Sequence, residues 1–354
     1  MDLHEAQLYE RLDAAVVHCF LCAHSCIIKE GQRGICAVRQ NVSGKLFSLC
    51  YGHPVAMQVD PIEKKPLYHF LPGSKSFSLA TRGCNMRCGF CQNWQISQVH
   101  QGDVGGEATV VSPQEVVAQA LANGCQSISY TYTEPTVFFE YAYAIAQEAR
   151  AAGLRNVFVS NGYMSEQCRM LLSPVLDAAN IDLKCFIDEV YRRVCGASLQ
   201  PVLDSIADLQ RSGVWVEVTT LIVPGVNDDD AQLQGIARFL AAIDPDIPWH
   251  LSRFHPDYQF DAVVPTPIEM VEKAVAIGRR SGLRFVYAGN VAGSANDTSC
   301  SACKKIVIKR RQFDILSYNV VAGGRCAFCQ EIIPGIFSNV CHCEEGFSPT
   351  KQSL

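Results

Sequence analysis

The chain has 354 residues, of which 48% are hydrophobic and 18% are charged, and these proportions are typical of a soluble globular protein with a large core. The formal net charge is −5, so no overall basic field attracts nucleic acid. The sequence has no apolar run of about 18 residues, which argues against a membrane span, and its first residues lack a signal-peptide pattern. We therefore expect a cytoplasmic protein of about two domains, or one barrel with additions.

Eighteen cysteines are unusually many for such a protein. Disulfides need an oxidising compartment, and without a secretion signal the grouped cysteines indicate metal or cluster ligands instead. A reducing, oxygen-poor cytoplasm is the expected location, because oxygen destroys an exposed low-potential cluster. The grouping divides the chain into an N-terminal Cys-rich segment (1–70), a central domain (71–295) and a C-terminal Cys-rich segment (296–354).

Strand-like and helix-like stretches alternate in the central domain. The helices are predicted near 112–124, 136–152, 165–179, 199–212, 228–243 and 267–281, and Ser112-Pro113-Gln114-Glu115 has the pattern of a capped helix start. The predicted strands are Ser76–Ala80, Ser127–Tyr132, Asn156–Ser160, Asn180–Lys184, Val214–Val223, Trp249–Phe254 and Arg284–Gly289. Repeated βα units predict an α/β fold, a partial (β/α)6-type TIM-like barrel with its chemistry at the carboxyl ends of the strands.

Three cysteines follow the first of these strands in a C-x3-C-x2-C pattern, Cys84, Cys88 and Cys91. Three thiolates on one loop can hold three irons of a [4Fe–4S] cluster, whose usual complement is four cysteines. The fourth iron would then be open to a ligand. A structural zinc loop is the alternative, but it needs a fourth ligand near by, and the next cysteine, Cys125, lies in an unrelated context.

Polar residues follow several other predicted strands, and they are expected on the same rim as the three cysteines. Thr133 and Glu134 can accept hydrogen bonds from an ammonium group, and the side chain of Asn161 suits ribose hydroxyls. Lys184 can pair with a ligand carboxylate or, more simply, with the neighbouring Asp182. His255 lies after the sixth strand, where it can also be an ordinary loop residue.

Six stretches together resemble the pyruvate formate-lyase-activating-enzyme-like branch of the radical S-adenosylmethionine (radical SAM) proteins. Within that branch the chain resembles most the radical enzymes of the AmmeMemoRadiSam system. The C-x3-C-x2-C motif alone indicates only the superfamily, whereas the combination is more specific. The stretches are 60–70, 83–94, 130–135, 218–228, 249–256 and 287–290.

The resemblance implies a cofactor and a set of site residues. A [4Fe–4S] cluster on the three cysteines would bind S-adenosylmethionine and break a carbon–sulfur bond with one electron from a flavodoxin- or ferredoxin-like donor. The position usually occupied by an acid, two residues before Asn161, is here Val159, so the ribose contacts are less defined. The implied residues are Cys84, Cys88 and Cys91 for the cluster, with Phe90, Thr133, Glu134, Asn161, Lys184 and His255 around the cofactor.

The resemblance leaves the substrate open between two classes. One is a small molecule or nucleic-acid base, processed with Memo-like and companion proteins, and the family resemblance favours this class. The other is a glycine residue of a protein, which would make the chain a glycyl-radical activating enzyme. A third interpretation is a cysteine-rich zinc scaffold that binds a partner without chemistry.

The C-terminal segment contains two C-x2-C pairs, Cys300 with Cys303 and Cys326 with Cys329. This spacing predicts a zinc-ribbon-like extension, with an auxiliary iron–sulfur cluster as the competing interpretation. The stretch 304–311 between the pairs is predicted to be a strand. Its five basic residues can contact nucleic acid, although a charged hairpin is usually only solvated. Cys341 and Cys343 form a third knuckle or have no ligand role.

The N-terminal group comprises four cysteines, which suit either Zn²⁺ or a second iron–sulfur cluster, and their spacing does not separate the two. A cluster could relay electrons, whereas a zinc ion would only anchor the segment. The ungrouped cysteines are expected to be small buried residues, with a substrate-site thiol as a lesser interpretation for Cys185 and Cys195. The four ligand candidates are Cys19, Cys22, Cys26 and Cys36.

Overall fold

The computed structural model describes residues 3–99, 110–291 and 296–337. Two small antiparallel sheets form the N-terminal part, one in the order β1–β6–β5 and the other in the order β2–β3–β4. Their strands are β1 (His4–Glu5), β2 (Tyr9–Arg11), β3 (Val17–Cys19), β4 (Cys26–Ile28), β5 (Arg39–Val42) and β6 (Lys45–Ser48).

An eight-stranded sheet occupies the centre, with its strands in sequential order. The first pair is antiparallel and all later pairs are parallel, which confirms the predicted α/β fold with a parallel sheet. The antiparallel edge strand was not predicted, and the curvature of a partial barrel stays a prediction. The strands are β7 (Ala56–Pro61), β8 (Lys75–Ala80), β9 (Ser127–Tyr130), β10 (Arg155–Ser160), β11 (Ala178–Asp182), β12 (Trp215–Ile222), β13 (Trp249–Arg253) and β14 (Val286–Gly289).

Helices connect the parallel strands, and the six predicted ones are present. At the start of the first of these, Ser112 Oγ accepts from Glu115 N while a Glu115 carboxylate oxygen accepts from Ser112 N, as the capping pattern predicts. The helix predicted to reach residue 179 ends at Leu172, because Pro174 disfavours its continuation. The helices are α1 (Trp94–Ser97), α2 (Pro113–Ala122), α3 (Phe139–Ala151), α4 (Glu166–Leu172), α5 (Asp188–Cys195), α6 (Gln200–Arg211), α7 (Asp230–Ile243) and α8 (Ile268–Arg280).

No helix among the described residues is long and apolar enough to cross a membrane. The short helix α5 was not predicted, since only two of its eight residues, Tyr191 and Cys195, are buried, too few for an extended apolar face.

The C-terminal part consists of two small antiparallel sheets, and its longest strand coincides with the predicted basic strand. One of the five basic residues, Arg310, is buried rather than solvated, and its guanidinium lies over the ring of Tyr68 and donates to the Tyr68 carbonyl at 2.7 Å. The strands are β15 (Thr298–Ser299), β16 (Ile306–Arg311), β17 (Asp314–Tyr318), β18 (Val320–Val321) and β19 (Arg325–Cys326).

The carboxylate of Glu217, near the start of β12, is fully buried. It joins the central sheet to residues 66–71, the segment against which the C-terminal part packs. It accepts hydrogen bonds from the backbone N–H groups of Tyr68 and His69 at 2.9 and 2.8 Å, and from His250 Nε2 at 2.6 Å. Burial opposes ionisation, but the hydrogen bond and charge of His250 hold the pKa of Glu217 below its usual value. This network therefore fixes residues 66–71 against the sheet.

Replacement of Glu217 by alanine should be strongly destabilising. Three donors, the backbone N–H groups of Tyr68 and His69 and the part-buried Trp215 indole, would lose their acceptor, and the His250 ring would lose its partner. We expect a loss of ~3 kcal/mol or more in the free energy of unfolding, measured by anaerobic urea denaturation. Glu272→Ala on the exposed face of α8 is the control. A loss at Glu217 no larger than that of the control would show that the network contributes little.

Candidate functional site

The predicted site residues lie in loops at the carboxyl edge of the central sheet. The loop after β8 carries the three cysteines, and neighbouring parallel strands are followed by the polar residues, so these loops begin at one edge. The residues are Cys84, Cys88 and Cys91 after β8, Thr133 and Glu134 after β9, Asn161 after β10, Lys184 after β11 and His255 after β13.

Asn161 is in direct contact with the cysteine loop. Its Nδ2 donates to Asn85 Oδ1 at 2.8 Å and lies 3.6 Å from Cys84 Sγ. The backbone N–H of Met86 donates to the same sulfur at 3.3 Å. Burial raises the pKa of the Cys84 thiol, and these two donors are of the kind that stabilise a thiolate. The structure therefore brings the end of β10 to the first cysteine, as the prediction of a shared rim requires.

The carboxylate of Glu134 is buried and accepts four hydrogen bonds from the protein. Oε1 accepts from the backbone and hydroxyl of Thr136 and from Ser160 Oγ at 2.5 to 2.9 Å, whereas Oε2 accepts only from Asn161 N at 2.8 Å. Burial raises the pKa of Glu134. Glu134 thus holds the end of β9 to the end of β10 and positions Asn161, and its contact with a cofactor ammonium stays a prediction.

Cys88 is hydrogen-bonded to the Cys195 thiol and lies within the electrostatic influence of Lys184. The hydrogen bond with the Cys195 thiol, aided by the Lys184 charge and opposed by burial, lowers the pKa of Cys88. Lys184 forms the ion pair with Asp182 that was the simpler prediction, with Nζ 3.0 Å from Oδ2. Although burial disfavours the ammonium, the charges of Asp182 and Cys88 raise the pKa of Lys184 well above its usual value. The positive charge of Lys184 therefore acts on one of the cluster-ligand candidates.

The C-terminal end of α5 anchors the cysteine loop, a contact that sequence reasoning missed. Arg87 N donates to Cys195 O at 2.8 Å, and Gly89 N donates to Val194 O at 3.1 Å. The last carbonyls of a helix have no partner within the helix, and here the loop supplies their donors. The only local signal was Gly196, which ends α5 with a left-handed φ of 67°.

The segment after β13 covers the other side of the cysteine loop. Phe90 is buried and meets Phe260 edge to face with ring centroids 5.9 Å apart, and Gln259 N donates to Gly89 O at 3.1 Å. His255 lies at the start of this segment and is exposed. On the neighbouring strand end, Thr133 Oγ1 donates to Thr81 O at 2.8 Å. The cofactor contacts assigned to Phe90, Thr133 and His255 stay predictions.

The four cysteines of the C-terminal C-x2-C pairs converge on one point. All four Sγ atoms lie within 4.8 Å of one another, with Cys300 to Cys329 at 3.6 Å and Cys303 to Cys326 at 3.8 Å. A disulfide requires ~2.05 Å, whereas four thiolates at ~2.3 Å from one tetrahedral ion are ~3.8 Å apart. The geometry therefore fits a single metal ion, while Cys341 and Cys343 lie outside the described residues.

We expect this group to bind one metal ion per chain. Combined Cys300→Ser and Cys303→Ser substitution should remove one equivalent of tightly bound metal, measured by elemental analysis after gel filtration. Cys125→Ser, at a buried cysteine outside the three groups, is the matched control and should leave the metal content unchanged. An unaltered metal content in the double variant would show that these thiols do not hold an ion.

Comparison with known proteins assigns the chain to a superfamily. Residues 78–238 match the family model described as the radical SAM superfamily. An uncharacterized protein of Methanocaldococcus jannaschii is 44% identical over 334 residues, which cover 94% of this chain and 99% of that protein. The pyruvate formate-lyase 1-activating enzyme of Escherichia coli K12 is 23% identical over 223 residues, covering 58% of this chain and 89% of the enzyme.

A solved structure with a similar fold is a radical SAM methyltransferase from Sphaerobacter thermophilus. It has a TM-score of 0.47 and 15% identity, with 64% of this chain and 71% of that chain covered. The match to the superfamily model contains all three cysteines of the loop after β8 and the strand ends that contact them. The chain belongs to the radical SAM superfamily, whose members are enzymes.

Proposed function

We propose that this protein is an enzyme that cleaves S-adenosylmethionine reductively and abstracts a hydrogen atom from its substrate. The observation that carries the proposal is the loop of three cysteines at the carboxyl edge of the sheet, within the region that matches the superfamily. A [4Fe–4S] cluster with three cysteine ligands, together with S-adenosylmethionine, supplies one-electron cleavage of a carbon–sulfur bond and the hydrogen-abstracting radical.

Cys84, Cys88 and Cys91 would hold the cluster, and their surroundings fit it. Metal-bound cysteines are thiolates, so the loop must accommodate concentrated negative charge. The Met86 N–H and Asn161 Nδ2 point at the Cys84 sulfur, and the charge of the Lys184 ammonium favours the Cys88 thiolate. Donors and a cation at these positions stabilise thiolates.

The strand-end residues would orient the cofactor. Glu134 Oε2 carries one described hydrogen bond, so it keeps acceptor capacity for an ammonium group. Lys184, already paired with Asp182, has further donors for a carboxylate. Asn161 is placed between Glu134 and Cys84. We assign ribose and methionine contacts to this set together with Thr133, His255 and the buried ring of Phe90.

The substrate that we propose is a small molecule or a nucleic-acid base, with Memo-like and companion proteins as partners in an oxygen-poor cytoplasm. A flavodoxin- or ferredoxin-like protein would donate the electron. The zinc-scaffold interpretation is set aside because members of the superfamily are enzymes. Activation of a glycyl-radical enzyme is the second candidate, and the similarity to the Escherichia coli activating enzyme favours it.

At the C-terminal group we propose Zn²⁺, as the ribbon-like spacing of its two C-x2-C pairs indicated. The support is the pair of Sγ–Sγ distances, 3.6 and 3.8 Å, which match the ~3.8 Å edge of a zinc tetrathiolate. The metal released from this group should therefore be zinc, and iron in its place would overturn the assignment.

Reductive cleavage is tested with anaerobically reconstituted protein and dithionite as the electron source. Wild-type protein should form 5'-deoxyadenosine, and single Cys84→Ala, Cys88→Ala and Cys91→Ala variants should fall to the level of protein-free controls, because each removes a cluster ligand. Cys125→Ala should retain wild-type cleavage, since this residue lies outside the cysteine loop. Continued cleavage by the three loop variants would overturn the proposal.

The two substrate classes are separated by electron paramagnetic resonance. Reduced protein and S-adenosylmethionine are mixed with each glycyl-radical enzyme encoded by the source organism, and the spectrum is recorded for a glycyl radical. We expect no such signal, while deuterium from labelled small-molecule or base substrates should enter 5'-deoxyadenosine. A glycyl radical that forms with the wild-type protein but not with a Cys84 variant would show that the substrate is a protein glycine rather than a small molecule or base.

A further inference from the structure

The four N-terminal cysteines surround one cavity. Cys19 lies on β3 and faces Cys26, its direct partner on β4, while Cys22 lies in the turn between these strands and Cys36 precedes β5. All four line the same small cavity, together with Arg39. None of the four forms a disulfide. Four cysteine thiols within a segment of 18 residues thus line the same interior cavity.

The spacing of these thiols differs from that of the C-terminal group. Within residues 3–99, 110–291 and 296–337, the C-terminal four form a group that could hold a metal ion, with all ligand atoms within 4.8 Å of one another, and no three N-terminal thiols form such a group. A single zinc ion needs Sγ–Sγ distances of ~3.8 Å. An iron–sulfur cluster distributes its thiolates over more than one iron and so holds them farther apart. The wider arrangement favours a cluster.

The cavity is also lined by a buried cation, Arg39, whose hydrogen-bond donors are only partly satisfied. The Arg39 side chain is 1% exposed, and Nη2 donates to Glu140 Oε1 at 2.5 Å and to Gln7 O at 2.6 Å. Nε and Nη1 have no partner among the described residues, although they are buried. Buried donors without acceptors are costly, and a charged one more so. Glu140 already supplies a counter-charge, and an anionic group with sulfur acceptors in the cavity would supply the missing partners of Nε and Nη1.

The N-terminal cavity adjoins the cysteine loop of the candidate site. His24 Nε2 donates to the carbonyl of Asn85 at 2.6 Å, and Arg87 donates to the carbonyl of Ile35. A Cβ placed on Gly83, which precedes Cys84, would lie 3.1 Å from the carbonyl oxygen of Cys36. Neighbours of the N-terminal cysteines are therefore in direct contact with neighbours of the three loop cysteines.

We propose that a second iron–sulfur cluster is bound by Cys19, Cys22, Cys26 and Cys36. These four cysteines are its complete set of ligands, and Arg39 is a cation beside it. With four thiolates it has no open iron, so it does not bind S-adenosylmethionine. A flavodoxin- or ferredoxin-like donor reduces it by one electron, with no proton transferred and no bond formed or broken. Because this cluster lies beside the cysteine loop, it passes the electron on to the cluster proposed there. This electron transfer rests on the proposed function, whereas the binding of the second cluster does not.

The test uses the full chain with Cys84, Cys88 and Cys91 all replaced by alanine. This variant leaves the N-terminal residues intact, and after anaerobic reconstitution it should retain iron and acid-labile sulfide. The retained iron should give a cluster signal in electron paramagnetic resonance after reduction by dithionite. Further Cys19→Ala and Cys22→Ala substitutions should remove iron, sulfide and signal together, whereas a further Cys125→Ala should remove none of them.

Two results would overturn the proposal. One is that the triple variant contains no iron or sulfide and holds zinc at the N-terminal cysteines. This would be measured as a second equivalent of zinc that is lost when Cys19 and Cys22 are replaced. The other is a triple variant that holds neither metal there. Where the Cys19 and Cys22 variants do not fold, Cys300→Ser and Cys303→Ser are added to the triple variant instead, and iron and sulfide retained by that protein are then not held by the C-terminal pairs. The outcome is independent of S-adenosylmethionine cleavage by wild-type protein, so failure of one proposal is distinguishable from failure of the other.

Discussion

Parallel pairing of neighbouring strands is the constraint on which the candidate site depends. The register places Tyr130 of β9 opposite Leu79 of β8 and opposite Phe158 of β10, so these strands end at nearly the same level. The loops that follow them therefore begin side by side. Glu134 can then bond across to Ser160 and Asn161, which a slip of one residue would prevent by turning the side chains to the other face.

Buried charges connect the two flanking parts to this sheet. Arg39 of the N-terminal part pairs with Glu140 of α3, and Arg310 of the C-terminal part packs on Tyr68, which the Glu217 carboxylate also holds. A buried ion is strongly destabilising when unpaired, so each of these contacts admits few alternative arrangements. The N-terminal and C-terminal segments are thereby docked in defined positions, one beside the cysteine loop and the other on residues 66–71.

Three cysteine groups with different ligand number and spacing point to three kinds of site in one chain. Four thiols within 4.8 Å suit one ion, and four more widely spaced thiols around a cavity with Arg39 suit a cluster. Three thiols on the loop after β8 leave a coordination position for a ligand. In the proposed assignment, the same side-chain chemistry would serve structure and reactivity according to how many sulfurs converge and how far apart they lie.

The sequence by itself determined strands β8 to β14, the six longer predicted helices of the central domain, the α2 capping box and the membership of each cysteine group. These features depend on residues within one turn, strand or short motif. Tertiary structure alone decided that Cys195 meets Cys88, that Glu134 is engaged by Ser160 and Asn161, and that Arg310 is buried. Such contacts join residues far apart in the chain, and no local periodicity or spacing records them. Helix α5 was not predicted because it is short and buries only two residues, and its contact with the cysteine loop, through its last carbonyls, joins distant parts of the chain.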